Sequence, residues 1–103
     1  MAGKIRIRAQ LKDGVTEVKA LMRHPMETGQ RKDASGNAIP AHFIKEVTAT
    51  HNGKVVLSGQ WGAAVSQNPF LGFSFEGAAV GDDVTVSYLD NKGETGSGST
   101  EVK

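Results

Sequence analysis

Three histidines, His24, His42 and His51, are the side chains in this sequence best suited to chemistry. Two or three imidazoles beside carboxylates can hold zinc. Their spacing matches no compact ligand pattern, and His51 abuts Asn52-Gly53, a two-residue turn signal. They read as surface or loop histidines, and no metal site is expected. His24 and His42 flank one long stretch without periodicity, so they are the pair a small metalloenzyme would use. Serine catalysis needs a base and an oxyanion hole. Ser66, in Val65-Ser66-Gln67-Asn68-Pro69, has no Gly-x-Ser-x-Gly elbow around it and reads as a turn-former. Asp82-Asp83 precedes a strand and reads as a pair of turn acids, not a general acid and base. Gly93-Glu94-Thr95-Gly96-Ser97-Gly98 superficially resembles a phosphate-binding loop. Such a loop must open a helix, and here the chain runs only five residues further. No catalytic residue and no cofactor site is expected, so the chain reads as a non-enzyme.

Composition narrows the alternatives. The chain has 103 residues, the size of one domain over residues 1–103, and a hydrophobic fraction of 38% suits a soluble globular protein. There is no cysteine, which removes disulfides, thiolate nucleophiles and thiolate-bound metals. Net charge is +1, from 12 basic and 11 acidic residues, a weak footprint for nucleic acid. In Lys4-Ile5-Arg6-Ile7-Arg8 the charges alternate with apolar residues, the pattern of a strand with one solvated face. One Trp, one Tyr and four Phe offer little material for stacking bases. No apolar run is long enough to predict a membrane-spanning helix. Met1-Ala2-Gly3 leads straight into strand-like alternation, with no charged-then-apolar leader, which by itself predicts a cytoplasmic chain.

Period-two alternation dominates the remainder. Ile5, Ile7, Ala9 and Leu11 share one face of a first strand. Asp13-Gly14 is a hairpin turn, and Val18, Ala20 and Met22 mark a second strand. Residues 24–40 have no period and form a long loop of about 15 residues, a length often tied to function. A third strand follows, with Phe43, Val47 and Ala49 on one face and Lys45 pointing with them. Asn52-Gly53 turns into a fourth strand, Lys54–Ser58. Gly59–Asn68 is a connection carrying Trp61, in which residues 62–67 could make at most one helical turn. If alternation after Pro69 turns Leu71, Phe73 and Phe75 inward, Phe70 faces out as an interface anchor; a bulge at Pro69 would turn it in. Gly81-Asp82-Asp83 is a turn, Val84, Val86 and Tyr88 alternate, Asn91-Lys92-Gly93 closes another hairpin, and a weak last strand lies near Gly98–Val102. Six to eight short strands predict an all-β fold, an immunoglobulin-like antiparallel β-sandwich without the cysteine staple of antibody domains.

Five ordered blocks carry a family resemblance. They are His24-Pro25-Met26-Glu27-Thr28-Gly29 with Arg31-Lys32-Asp33; Ile39-Pro40-Ala41-His42-Phe43-Ile44; Val65-Ser66 with Asn68-Pro69; Gly81-Asp82; and Asp90-Asn91-Lys92-Gly93. Together they resemble the SoxZ family of bacterial thiosulfate oxidation. The resemblance implies an immunoglobulin-like subunit, without cofactor or reaction of its own, that pairs with SoxY. SoxY carries sulfur intermediates on a cysteine near the end of a glycine-rich arm. The arm serves a haem-containing conjugating pair, a dimanganese hydrolase and often a molybdenum sulfane dehydrogenase. It also implies export to the periplasm bound to SoxY, reversing the location drawn from the N-terminus. The expected partner contacts lie in the long loop (Met26, Arg31, Lys32) and around Ser66, Asn68, Pro69 and Phe70. The other functions open to such a sandwich are a stand-alone ligand- or protein-binding module and the His24/His42 metalloenzyme.

Overall fold

The computed structural model describes residues 3–22, 24, 26–27, 29–62 and 69–103. Among these there is no helix, and seven strands are formed: β1 (Gly3–Lys12), β2 (Val15–Met22), β3 (Ile44–His51), β4 (Lys54–Gln60), β5 (Phe70–Glu76), β6 (Asp83–Asp90) and β7 (Thr95–Glu101). Two turns follow from their dipeptides. Asp13 and Gly14 have φ of 52° and 80°, and Asn52 and Gly53 have φ of 49° and 84°. Positive φ at both central residues matches the right-handed twist of the flanking strands, so the β1–β2 and β3–β4 hairpins close tightly.

Strand order is β4-β3-β6-β7-β1-β2-β5. The start of β1 pairs in parallel with β7 through Gly3–Gly96 and Lys4–Ser97. From Ile5 onward β1 pairs antiparallel with β2. The strand thus leaves the β4-β3-β6-β7 sheet and enters the β1-β2-β5 sheet, closing one side of a sandwich. Inward residues of both sheets interlock: Ile5, Ala20 and Met22 meet Ile44, Val47, Ala49, Val86 and Tyr88. Burial of this kind contributes about 25 cal/mol for each Å² of apolar surface removed from water. The result is the expected all-β sandwich, three strands against four.

Two local readings are corrected. In β3 the inward residues are Ile44, Val47 and Ala49, while Phe43 is only half-buried and Lys45 is exposed. The pairing with β6 jumps between Ile44 and Glu46, so Lys45 is an extra, bulged residue that reverses the parity of the strand. The last strand is also longer and more central than expected, running Thr95–Glu101 between β6 and β1. The Gly96 and Gly98 of the phosphate-loop lookalike are strand residues at the crossing of β1.

Candidate functional site

Strand register brings the marked segments to one end of the sandwich. β2 leaves its sheet beside the start of β5, with Leu21 opposite Phe70. β3 starts opposite the end of β6, with Ile44 opposite Asp90. The long loop, the β4–β5 connection and the β6–β7 turn therefore emerge together. The loop is itself a loose hairpin. Glu27 and His42 bridge antiparallel, as do Lys32 and Ala38. Its tip is wound on Asp33, whose Oδ1 accepts the backbone N–H groups of Ser35 (2.9 Å) and Asn37 (3.0 Å).

The base of the loop is tied to Asp90. β6 alternates Val84, Val86, Tyr88, Asp90 inward, so the same parity that builds the core aims this carboxylate inside, with 1% of its surface exposed. Its Oδ1 accepts the backbone N–H groups of Lys92 and Glu94, each at 2.9 Å. Its Oδ2 lies 3.1 Å from His24 Nε2 and 2.6 Å from His42 Nε2. His42 Nε2 is also 3.4 Å from a Glu94 carboxylate oxygen. The two imidazoles meet edge to face, centroids 4.4 Å apart, and His24 packs likewise on Tyr88. His24 is buried and His42 half-buried; of their reading as surface or loop histidines, the loop position holds and the surface position does not.

Three potential ligand atoms within 4.8 Å of one another raise the metal reading again. Hydrogen bonding argues against it. His24 Nδ1 accepts the backbone N–H of Met26 at 3.1 Å. A neutral imidazole has one acceptor and one donor nitrogen, so its proton is on Nε2, the atom facing Asp90. A metal on Nε2 would need that lone pair and would set an Nδ1–H against an N–H. The cluster is a hydrogen-bonded knot that pins both ends of the long loop to the β6–β7 turn.

Burial pushes the Asp90 carboxyl upward in pKa. Hydrogen bonds from His24, His42 and the Glu94 and Lys92 amides outweigh it and hold the group at about 2, against an ordinary 3.8. A carboxyl depressed on folding stabilises the fold above its ordinary value, and that stability is lost as pH falls through the folded value. Acidification from about pH 5 to about pH 2 is therefore expected to remove roughly 2 kcal/mol through this group. Urea unfolding of wild type and Asp90→Asn at the two pH values measures it. Equal losses in both proteins would contradict the assignment.

The expected partner residues divide. Met26 is a core residue with 5% exposure, its sulfur accepting the Ile44 N–H at 3.4 Å, so its side chain is not on the surface where a partner contact was expected. Arg31 is exposed and clasps Glu27 with Nε at 3.1 Å from both carboxylate oxygens and Nη2 at 2.6 Å from one. Lys32 is exposed beside it. Pro69 is buried, its carbonyl accepting the Met22 N–H at 3.0 Å. Phe70 faces out with 62% exposure next to Leu21 at 38%, while Leu71, Phe73 and Phe75 turn inward, half-buried. Ser66 and Asn68 lie outside the described residues, as does the one helical turn allowed for residues 62–67, apart from Gly62. Sequence reasoning missed Asp90 and Glu27. Both stood in the quoted blocks without a role; the inward parity of β6 was the available signal for Asp90, and the four-residue spacing to Arg31 that for Glu27.

The family model described as sulphur oxidation protein SoxZ matches residues 5–101. Among curated proteins none matches the chain. With 97 of 103 positions spanned (5 through 101), the chain belongs to the SoxZ family of sulphur oxidation proteins.

Proposed function

We propose that this chain is the non-catalytic subunit of a periplasmic sulfur-carrier heterodimer. Its partner is SoxY, whose arm cysteine bears the sulfur intermediates, and the pair is exported together. The family match carries this reading, and the composition supports it. A chain without cysteine cannot bind sulfur through a thiol of its own, so a cysteine-borne intermediate belongs to a second chain. The buried knot supports the same reading. It spends both candidate catalytic histidines on holding a loop.

The proposed heterodimer contacts are Arg31 and Lys32 on the long loop, Ser66, Asn68 and Pro69, and Phe70 at the start of β5. An exposed aromatic and an exposed guanidinium are the residue types typical of interface anchors. Phe70→Ala is expected to weaken heterodimer affinity at least tenfold, since a central aromatic anchor contributes about 2 kcal/mol or more. Arg31→Ala should cost less, because in the free chain that guanidinium is already engaged by Glu27. Titration calorimetry of each variant against purified SoxY tests this. Unchanged affinity in both would remove the interface from these residues.

A further inference from the structure

The outer face of the β1-β2-β5 sheet carries a feature that neither the core nor the knot explains. β1 turns Ile5 and Ala9 inward and leaves Arg6 and Arg8 exposed. β2 turns Val18, Ala20 and Met22 inward and leaves Lys19 and Leu21 outside. Register stacks these into rows: Arg6 opposite Leu21 opposite Phe70, then Arg8 opposite Lys19 opposite Gly72. Arg8 and Lys19 are thus a directly opposed like-charge pair, about 4.5–5.5 Å apart at Cβ, which destabilises a sheet. Arg6 lies two residues along the same face, roughly 6.7 Å away. Lys19 reaches the exposed Glu17 at 3.3 Å. Among the described residues Arg6 and Arg8 have no ion pair or side-chain hydrogen bond. The residue across from Lys19 on β5 is Gly72, and the Phe70 ring lies over it, its Cε1 3.4 Å from where a Cβ would stand. The three cations and the Leu21–Phe70 pair line one open groove of about 550 Å³.

We propose that this face docks an acidic protein surface, that of the enzymes which visit the carrier, a reading that rests on the carrier function proposed above. Three cations held together at a cost in sheet stability are matched by carboxylates on a partner. The exposed Leu21 at the end of the rows gives such a partner an apolar contact, which a small oxyanion would not need, while its neighbour Phe70 belongs to the proposed SoxY contact. Charges at such a site chiefly set association rate and salt dependence, so a carrier can be captured quickly and released.

The test uses the complete heterodimer with the arm cysteine blocked by iodoacetamide, so that only surface docking is read. The probes are the purified dimanganese hydrolase and the haem-containing conjugating pair. Binding is followed by surface plasmon resonance at about 20 mM and about 300 mM salt, where screening differs strongly. The triple variant Arg6→Glu, Arg8→Glu, Lys19→Glu is expected to slow association with at least one enzyme by tenfold or more at low salt. The difference should shrink at high salt, and affinity for SoxY should stay unchanged. A second variant with glutamine at the same three positions should show a smaller loss of the same kind. It keeps the test decisive if the charge reversal unfolds the chain. Wild-type association rates for both enzymes in a folded variant would overturn the proposal. So would specific competition by thiosulfate beyond sodium chloride of equal ionic strength, which would make the groove a small-oxyanion site. Failure to form the heterodimer at all, with wild-type chain, would instead count against the carrier function.

Discussion

Replacing Asp90 with alanine is expected to cost roughly 3–5 kcal/mol, the range for removing one partner of a buried charged network. The carboxylate accepts two backbone N–H groups and faces two imidazole nitrogens. Its loss would leave the two turn amides and the His24 Nε2–H without this acceptor, and each buried orphan costs about 1–3 kcal/mol unless water reaches it. Against a total stability of about 5–15 kcal/mol this is a large fraction. The urea midpoint should fall by about 1.5 M or more for a slope of about 2 kcal/mol per M. Asp90→Asn should be milder, because one oxygen still accepts the turn amides while its NH2 group opposes an imidazole N–H. An alanine variant within about 1 kcal/mol of wild type by urea unfolding would show that the knot contributes little.

Gly98→Ala is the second large effect, and its cause is backbone contact. A Cβ at Gly98 would overlap the carbonyl oxygen of Ile5 and lie 3.0 Å from its carbonyl carbon. No rotamer relieves an overlap between a Cβ and a main-chain oxygen. Ile5 cannot step back easily. Gly3 and Lys4 just before it are paired with β7, and Ile5 itself pairs with Met22 in the other sheet. The substitution is expected to cost about 2–4 kcal/mol, at the upper end for overpacking. Gly62→Ala, where a new Cβ meets none of the described residues within 4 Å, should be near neutral and is the matched control. Thermal unfolding of the two variants compares them; equal melting temperatures would mean that β1 does not cross β7 in the way described.

Much of the sandwich was legible in the sequence because it depends on local rules. Alternation in β1, β2 and β6 and the Asp13-Gly14 and Asn52-Gly53 turns state their own geometry. What failed to show depended on distant partners. The face of β3 was misread because the bulge at Lys45 is a feature of its pairing with β6, invisible in its own residues. β7 read as weak because its Gly and Ser residues have low strand propensity. Gly98 is nonetheless required where β1 passes. His24 and His42 read as surface residues because their acceptor, Asp90, is 66 and 48 positions away in the chain. Met26 sat in a loop without period, and only the fold shows its side chain in the core. Phe70, by contrast, follows simple alternation through β5, and its outward position resolves the choice that Pro69 left open.

The central claim is that this chain works by holding a cysteine-bearing partner. Size-exclusion chromatography with light scattering on the chain co-expressed with SoxY tests it most directly. The proposed function predicts a single peak with the mass of a one-to-one heterodimer, from which the Phe70→Ala chain dissociates more readily. Separate monomer peaks at micromolar concentration, with this chain turning over thiosulfate by itself, would contradict it.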